Sequence, residues 1–297
     1  MKRIELMELV RERQVGEVSR RDFLQRATAV LGSAIAANTL LAACAAPAAE
    51  NPPPVIDESQ PAPEPGTATS GNLTTGIVTY EGLDETELMG FIAHEADVEP
   101  RPAIIVLQEW WGLNDHIKDV AQRYAAAGYV VLAPDLYNGV VTTEPNEART
   151  LAMELGMRDA VGEIQQAMAY LRAQDFTTDS VGIVGFCMGG GLVLQTAVAD
   201  SSVGAGIVYY GSPLRPNEAE SMTVPILTFI GTADSIPVSR VEAMHAAFSE
   251  AGIPNEAQIY DGAQHSFFND TRASYNAAAA EDSWEKTLAW FGDHLSA

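Results

Sequence analysis

Short apolar runs alternate with longer amphipathic stretches along the chain after residue 70. The apolar runs predict eight strands, at Thr75–Tyr80, Glu87–Ala93, Ala103–Gln108, Tyr129–Ala133, Val181–Gly185, Gly206–Tyr210, Pro225–Gly231 and Glu256–Tyr260. The first two runs are typical of an antiparallel edge pair. The later runs are continuous and rich in Val and Ile, as in strands buried on both faces. The stretches between them predict helices at about His116–Ala126, Asn146–Ala173, Met188–Ala199, Ser239–Ala251 and Tyr275–His294.

This alternation of strands and helices predicts an α/β fold, with one open, mostly parallel sheet and helices on both faces. In such sheets the chemistry lies at the carboxyl ends of the strands. The candidate functional residues are therefore expected in the loops that follow the strands.

The net charge of the chain excludes some classes of binding partner. The chain has 297 residues and a formal net charge of −23 at pH 7. The negative charge lies after residue 43, where 10 Lys/Arg stand against 35 Asp/Glu. A surface this acidic repels nucleic acid and anionic membranes, so we expect neither as a partner. Hydrophobic residues make up 47% of the chain, which is enough for a sizeable core.

The first 43 residues are typical of an export signal rather than of a folded domain. The stretch SRRDFLQ resembles a twin-arginine signal, with Arg20 and Arg21 as the pair. A mildly apolar run from Ala27 to Ala43 follows, and its end, LAAC, is similar to the cleavage site of bacterial lipoproteins. The resemblance implies that the signal is removed before Cys44 and that the sulfur of Cys44 carries lipid. The alternative is an uncleaved N-terminal anchor helix.

A spacer follows the lipoprotein-type cysteine. Residues 44–70 contain seven of the 16 prolines, and such a segment behaves as a semi-extended linker without a core. The folded domain is expected over residues 71–297. We expect an exported protein that is held on the extracytoplasmic side of a membrane by its lipid alone.

The stretch GFCMG lies between a predicted strand and a predicted helix. It fits the nucleophile elbow, in which a strained turn lifts the nucleophile out of the sheet and the residues two positions away must be small. Gly185 and Gly189 are those small residues, and Cys187 is the nucleophile. The helix N-terminus favours the thiolate form of Cys187. A buried structural cysteine before a phosphate loop is the alternative, but Walker and dinucleotide patterns do not fit this stretch.

A thiol nucleophile needs a base, and the base needs an orienting acid. Asp234 comes after the strand that ends at Gly231, and His265 comes after the strand that ends at Tyr260. The chain order of nucleophile, acid and histidine is that of the α/β-hydrolases. Asp261 is a competing acid, but it lies in the turn that approaches His265.

The stretch VLQEWWGLN supplies further candidates beside the elbow. The backbone N–H groups of Trp110 and Met188 are expected to form an oxyanion hole. Glu109 is expected to point toward Cys187, where a carboxylate modulates the protonation of the thiol. Trp111 is expected to line the substrate site, with core or rim packing as the alternative. The sequence contains no metal-ligand spacing and no cofactor motif, so we expect neither a metal nor a cofactor.

Four motifs together resemble the dienelactone hydrolase family of α/β-hydrolases, over about residues 72–295: QEWWGLN, PDLY, GFCMGG and GAQHSF. The resemblance implies the α/β-hydrolase fold and a triad of Cys187, His265 and Asp234. It also implies that Glu109 holds the thiol in the resting enzyme and helps to deprotonate it when substrate arrives. Members of the family open unsaturated lactones by acyl transfer to the cysteine, followed by hydrolysis of the thioester. We therefore expect a cysteine-dependent hydrolase of lactones or small esters.

The expected substrate contacts depart from the family pattern. The lactonases of the family hold the substrate carboxylate with arginines, and one of these lies four residues after the catalytic histidine, at the position of Asn269. We expect Asn269 in the substrate site, with Arg272 as a nearby substitute for the arginine. Arg149 lies in the segment after PDLY, where another basic contact would be sought. Two alternatives to a hydrolase stay open: a non-catalytic ligand-binding lipoprotein on the same scaffold, and a redox-reactive thiol.

Overall fold

A computed structural model describes residues 73–83, 86–96, 99–219 and 222–295. This part of the chain contains eight strands: β1 (Leu73–Glu81), β2 (Glu87–Glu95), β3 (Arg101–Leu107), β4 (Val130–Pro134), β5 (Thr177–Phe186), β6 (Ala205–Tyr209), β7 (Ile226–Gly231) and β8 (Asn255–Tyr260). It also contains seven helices: α1 (Asp115–Ala126), α2 (Pro145–Glu154), α3 (Met157–Arg172), α4 (Met188–Ala199), α5 (Pro216–Ala219), α6 (Val238–Glu250) and α7 (Ala277–His294). Each predicted strand overlaps one of the eight strands observed.

The eight strands form one sheet in the order β1-β2-β4-β3-β5-β6-β7-β8. Strand β2 pairs antiparallel with β1 and with β4, and the other neighbouring strands pair in parallel. The predicted edge pair and the mostly parallel sheet are thus confirmed. The strand order reverses at β3, because β4 and β5 follow it in the chain and lie on opposite sides of it. Ligands of open α/β sheets bind at such a switch point, outside the carboxyl ends of the strands.

Buried side chains cover both faces of the sheet, because neighbouring residues of a strand point to opposite sides. In β3, Ile104 and Val106 belong to one buried cluster, whereas Ile105 and Leu107 belong to another. The first cluster includes residues of α1 and α7, and the second includes residues of α3 and α4. Each fully buried Ile or Val contributes about 1.5–3 kcal/mol, so the central strands are firmly held. They provide a rigid base for the loops at their carboxyl ends.

One predicted helix is interrupted. The sequence predicts a single helix over Asn146–Ala173, but the structure divides it into α2 and α3, with extended backbone at Leu155 and Gly156. A Cβ at Gly156 would lie 2.7 Å from Oδ2 of Asp159, so glycine gives that carboxylate room at the start of α3. Helix α2 buries only Ala148. The short helix α5 was not predicted from the sequence.

The predicted export signal, Cys44 and the proline-rich spacer lie outside the described residues, and they stay predictions. Within the residues that are described, no helix has both the length and the apolarity needed to cross a membrane.

Candidate active site

The turn between β5 and α4 holds Cys187 in a strained backbone conformation. Its φ is 55° and its ψ is −112°, a combination that non-glycine residues rarely adopt. A Cβ at Gly185 would lie 2.2 Å from the carbonyl oxygen of Gly189, and a Cβ at Gly189 would lie 2.6 Å from that of Leu107. Only glycine fits at these two positions. The backbone around Cys187 is therefore that of a nucleophile elbow.

The end of β3 lies directly against this elbow. The N–H of Gly189 donates to the carbonyl oxygen of Gln108 at 3.1 Å. Within the described part of the chain, the N–H groups of Trp110 and Met188 have no backbone acceptor. Met188 begins α4, where the positive end of the helix dipole also favours negative charge. Both N–H groups are thus available to an oxyanion beside Cys187.

His265 and Asp234 come together from the loops after β8 and β7. Oδ2 of Asp234 lies 2.8 Å from Nδ1 of His265, and the Asp234 side chain is fully buried. Its Oδ1 accepts the backbone N–H of Ile236 at 2.8 Å, which fixes the orientation of the carboxylate. Asp261, the competing acid, instead accepts a hydrogen bond from the hydroxyl of Thr232 at an exposed turn.

The surroundings of His265 favour its protonated form. Burial lowers the pKa of His265, but hydrogen bonds to Asp234 and Cys187, together with the charges of these two groups, raise it from 6.5 to about 10. An imidazolium paired with a thiolate is the activated state of a cysteine nucleophile. The side chains of Cys187 and His265 line one cavity, where a substrate can reach both.

Glu109 is buried, and three donors hold its carboxylate. Oε1 accepts the hydroxyl of Ser266 at 3.0 Å and that of Tyr210 at 3.4 Å, and Oε2 accepts the side-chain amide of Asn269 at 2.9 Å. Among the hydrogen bonds of the described residues, none joins Glu109 to Cys187. Three donors thus orient this carboxylate, and the expected role of Glu109 toward the thiol stays a prediction.

Tyr210 and Ser266 were not identified from the sequence. Both have a positive φ, of 40° and 61°, as Cys187 does. The described residues include four non-glycine residues with positive φ, and three of them are therefore at this site. Strained backbone of this kind clusters at functional sites. One signal was present in the sequence, since Ser266 directly follows His265 and Tyr210 directly follows β6 at the carboxyl edge of the sheet.

A cavity of about 350 Å³ opens at Cys187. Its lining residues are Trp110, Trp111, Cys187, His265, Ser266, Arg272 and Ser274. The guanidinium of Arg272 lies 4.3 Å from the centre of the Trp111 ring, a cation–π contact that orients the charge. Of the residues expected to contact the substrate, Trp111 and Arg272 thus reach this cavity.

Asn269 and Arg149 are placed elsewhere. Asn269 is 1% exposed, does not line the cavity, and uses its amide to hold Glu109. The expected place of Asn269 in the substrate site is corrected accordingly: it occupies the sequence position of the family arginine but faces a buried carboxylate. Arg149 lies on α2 with an exposed side chain. The described residues contain no cluster of His, Cys, Asp or Glu arranged to hold a metal ion.

The chain is similar to known proteins over most of this domain. It matches the dienelactone hydrolase family over residues 88–295. A protein of Synechocystis sp. named "Putative carboxymethylenebutenolidase" is 32% identical over 243 residues, which cover 75% of this chain and 98% of that protein. A protein of the same name from Methylorubrum extorquens is 35% identical over 242 residues, which cover 75% of this chain and 83% of that protein.

Solved structures agree with this fold. The crystal structure of "Putative Dienelactone Hydrolase from Klebsiella pneumoniae subsp. pneumoniae MGH 78578" has a TM-score of 0.70 at 26% identity, covering 75% of this chain and 99% of that one. A cold-adapted esterase from an Arctic intertidal metagenomic library has a TM-score of 0.59 at 14% identity, covering 76% and 95%. The expected α/β-hydrolase fold is thus confirmed. These hydrolases give no support to the alternative of a non-catalytic binding protein.

Proposed function

The chain belongs to the dienelactone hydrolase family, and on this premise we propose that it hydrolyses lactones or small esters with Cys187 as the nucleophile. That it is a hydrolase follows from relatives named carboxymethylenebutenolidase and from structural neighbours named dienelactone hydrolase. One observation carries the cysteine mechanism: Cys187 and His265 line the same cavity, and Asp234 holds the ring nitrogen of His265 at 2.8 Å.

The first half of the proposed reaction transfers the acyl group to the thiol. The thiolate of Cys187 attacks the carbonyl carbon, and the N–H groups of Trp110 and Met188 bind the resulting oxyanion. The bond to the leaving oxygen then breaks, and His265 donates its proton to that oxygen. Asp234 keeps the imidazole oriented and balances its charge.

The second half of the reaction hydrolyses the thioester. Neutral His265 takes a proton from a water molecule, whose oxygen attacks the thioester carbonyl. The carbon–sulfur bond then breaks, which releases the carboxylic acid and restores the thiolate of Cys187 beside the imidazolium.

We propose that the substrate affects Glu109 indirectly, by way of Ser266. Ser266 lines the cavity, and its hydroxyl donates to Oε1 of Glu109. A substrate that takes over this hydroxyl leaves Oε1 of Glu109 with only the longer hydrogen bond from Tyr210, at 3.4 Å. Through this exchange, a substrate bound at Ser266 acts on the carboxylate that the family resemblance relates to the protonation of Cys187. Asn269 supports Glu109 from the other oxygen.

We propose that Arg272 binds an anionic group of the substrate. Arg272 lines the cavity, and the Trp111 ring contacts one side of its guanidinium. Among the ion pairs of the described residues, none includes Arg272. A planar guanidinium without a carboxylate partner is suited to bidentate contact with a substrate carboxylate.

We further propose that the hydrolase is exported and anchored by lipid on Cys44. This proposal rests on the twin-arginine and lipoprotein-type motifs and on the proline-rich spacer. The domain then works on small molecules outside the cytoplasm and close to a membrane.

The experiment compares the wild type with Cys187→Ala on an activated aryl acetate and on a dienelactone. The wild type is expected to turn over at least one of the two compounds, and rapid acid quenching followed by mass spectrometry should find the acyl group on Cys187. Loss of the nucleophile is expected to lower kcat by about 10³-fold or more. Circular dichroism provides the check that the variant is folded. Full activity in a folded Cys187→Ala variant would show that another group is the nucleophile.

A further inference from the structure

A second cavity, of about 310 Å³, opens at the same cysteine. It shares Trp110, Cys187 and His265 with the first cavity. Its other lining residues are Ala152, Met157, Met188, Gly191, Tyr210, Ser212 and Ile236. We call this the Met157 cavity, and the first one the Arg272 cavity. A carbonyl carbon next to the Cys187 sulfur therefore lies where the two cavities meet.

The two cavities differ in chemistry. The Arg272 cavity presents a guanidinium and the hydroxyls of two serines. Apart from the Cys187 and His265 pair that both cavities share, the residues lining the Met157 cavity carry no charge, and alanine, methionine and isoleucine form much of its wall. Burial of one methylene in such a wall strengthens binding about fourfold. The Met157 cavity is thus suited to an apolar group.

The interruption between α2 and α3 forms part of the wall of the Met157 cavity. Ala152 lies in the last turn of α2 and Met157 begins α3, on either side of the extended residues Leu155 and Gly156. The described residues expose six large hydrophobic side chains, and one of them, Met157, forms part of the wall of this cavity. An exposed apolar side chain at the wall of a cavity is suited to contact with an apolar ligand.

Given the proposed hydrolase function, we propose that the substrate is an open-chain ester with an apolar arm, and that Ala152 and Met157 set the length of this arm. The apolar arm fills the Met157 cavity. The remainder of the molecule, with its anionic group, lies in the Arg272 cavity. In a small lactone one ring joins the acyl and alkoxy parts, so both parts occupy the same cavity. An open-chain ester reaches both cavities from one carbonyl.

Two series of esters test the apolar arm on the full-length enzyme. In one series the acyl chain grows from acetate to octanoate with nitrophenol as the constant alcohol. In the other the alcohol grows from methyl to hexyl with acetate as the constant acid. The value of kcat/KM is expected to rise about fourfold for each methylene in one of the two series, until the arm fills the cavity. The series that responds tells which side of the carbonyl enters the Met157 cavity.

Two variants that each introduce a phenyl ring test whether the preference for a longer arm arises in the Met157 cavity. Ala152→Phe places a phenyl group in the Met157 cavity, and it should lower kcat/KM for the six-carbon arm relative to the shortest arm by at least about tenfold. The matched control is Met153→Phe on the adjacent residue, whose side chain is 73% exposed and does not line the cavity. The control should keep the wild-type ratio. Met157→Ala, at a half-exposed position, should move the optimum to a longer arm.

The outcomes separate this inference from the proposed function on which it rests. A flat or falling profile in both series, from an enzyme that hydrolyses the shortest esters, overturns the apolar arm and leaves the hydrolase in place. The apolar arm is also overturned if folded Ala152→Phe keeps the wild-type ratio of kcat/KM between the six-carbon arm and the shortest arm. If Ala152→Phe does not fold, an unchanged optimum of arm length in Met157→Ala overturns it instead. Failure of the folded wild type to hydrolyse any ester of either series contradicts the proposed function itself.

Discussion

Replacement of Asn269 by alanine tests whether Asn269 supports Glu109 or contacts the substrate. Nδ2 of Asn269 donates to Oε2 of Glu109 at 2.9 Å, and Oδ1 of Asn269 accepts the backbone N–H of Thr271 at 3.0 Å and its hydroxyl at 2.6 Å. Alanine removes all three hydrogen bonds and leaves one oxygen of a buried carboxylate without its donor. We expect both the stability and the activity of the enzyme to fall.

The size of the effect follows from these partners. A hydrogen bond to a charged group contributes about 1.5–3 kcal/mol and a neutral one about 0.5–1.5 kcal/mol. Because the two bonds from Thr271 share one acceptor, we expect a total loss of about 3 kcal/mol rather than the full sum. In a domain of this size each kcal/mol lowers Tm by about 2–4 °C, so Tm should fall by about 6–12 °C. Since Asn269 does not line the cavity, kcat should fall more than KM rises.

Calorimetric unfolding and steady-state kinetics on an aryl acetate measure both effects. The control is Asn255→Ala at the start of β8, the end of that strand away from the catalytic loops, where the amide donates to Ile253 and Ser249. This control should lower Tm and leave kcat and KM unchanged. An Asn269→Ala variant with the wild-type Tm and only a raised KM would show that Asn269 contacts the substrate and does not support Glu109.

Three further predictions concern His265, the elbow and the anchor. The raised pKa of His265 stabilises the fold fully below about pH 6.5, and this stabilisation is lost as the pH rises through about 10. Denaturant unfolding should therefore show a larger loss for His265→Gln at low pH than at high pH, and equal losses would contradict the raised pKa. Gly185→Ala, whose Cβ would meet the Gly189 carbonyl oxygen at 2.2 Å, should destabilise the protein by about 3 kcal/mol or more, whereas Gly76→Ala, with no atom within 4 Å of its Cβ, should unfold as the wild type does. Cys44→Ser should move the protein from the detergent phase to the aqueous phase in a phase-partition assay, and retention in the detergent phase would indicate an uncleaved anchor.

The strands were predictable because burial on both faces demands continuous runs of Val and Ile. The runs in β3 and β5 contain few residues of any other kind near their centres, and no local alternative competes with them. The helix over Asn146–Ala173 was mispredicted because its apolar period continues through the interruption. What ends α2 is the extended backbone at Leu155 and Gly156, and the periodicity of apolar residues carries no information on backbone angles.

The pairing of His265 with Asp234 was predictable because both follow late strands of a parallel sheet, whose carboxyl ends meet at one edge. The surroundings of Glu109 could not be predicted from the sequence. Its donors Tyr210, Ser266 and Asn269 lie 101, 157 and 160 positions away in the chain. Their convergence depends on the strand order around β3 and on positive φ angles, and neither is visible in residue types alone. Asn269 was for this reason expected in the substrate site although it faces a buried carboxylate.

The position of helix α2 affects how the sequence of this domain can evolve. It buries only Ala148, yet Ala152 at its end forms part of the wall of a cavity next to the nucleophile. The two buried clusters on the faces of the sheet, by contrast, supply most of the apolar burial that stabilises the fold. Substitutions in α2 therefore alter which molecules fit beside Cys187 at little cost in stability. Selection can act on the choice of substrate in this domain separately from the integrity of the fold.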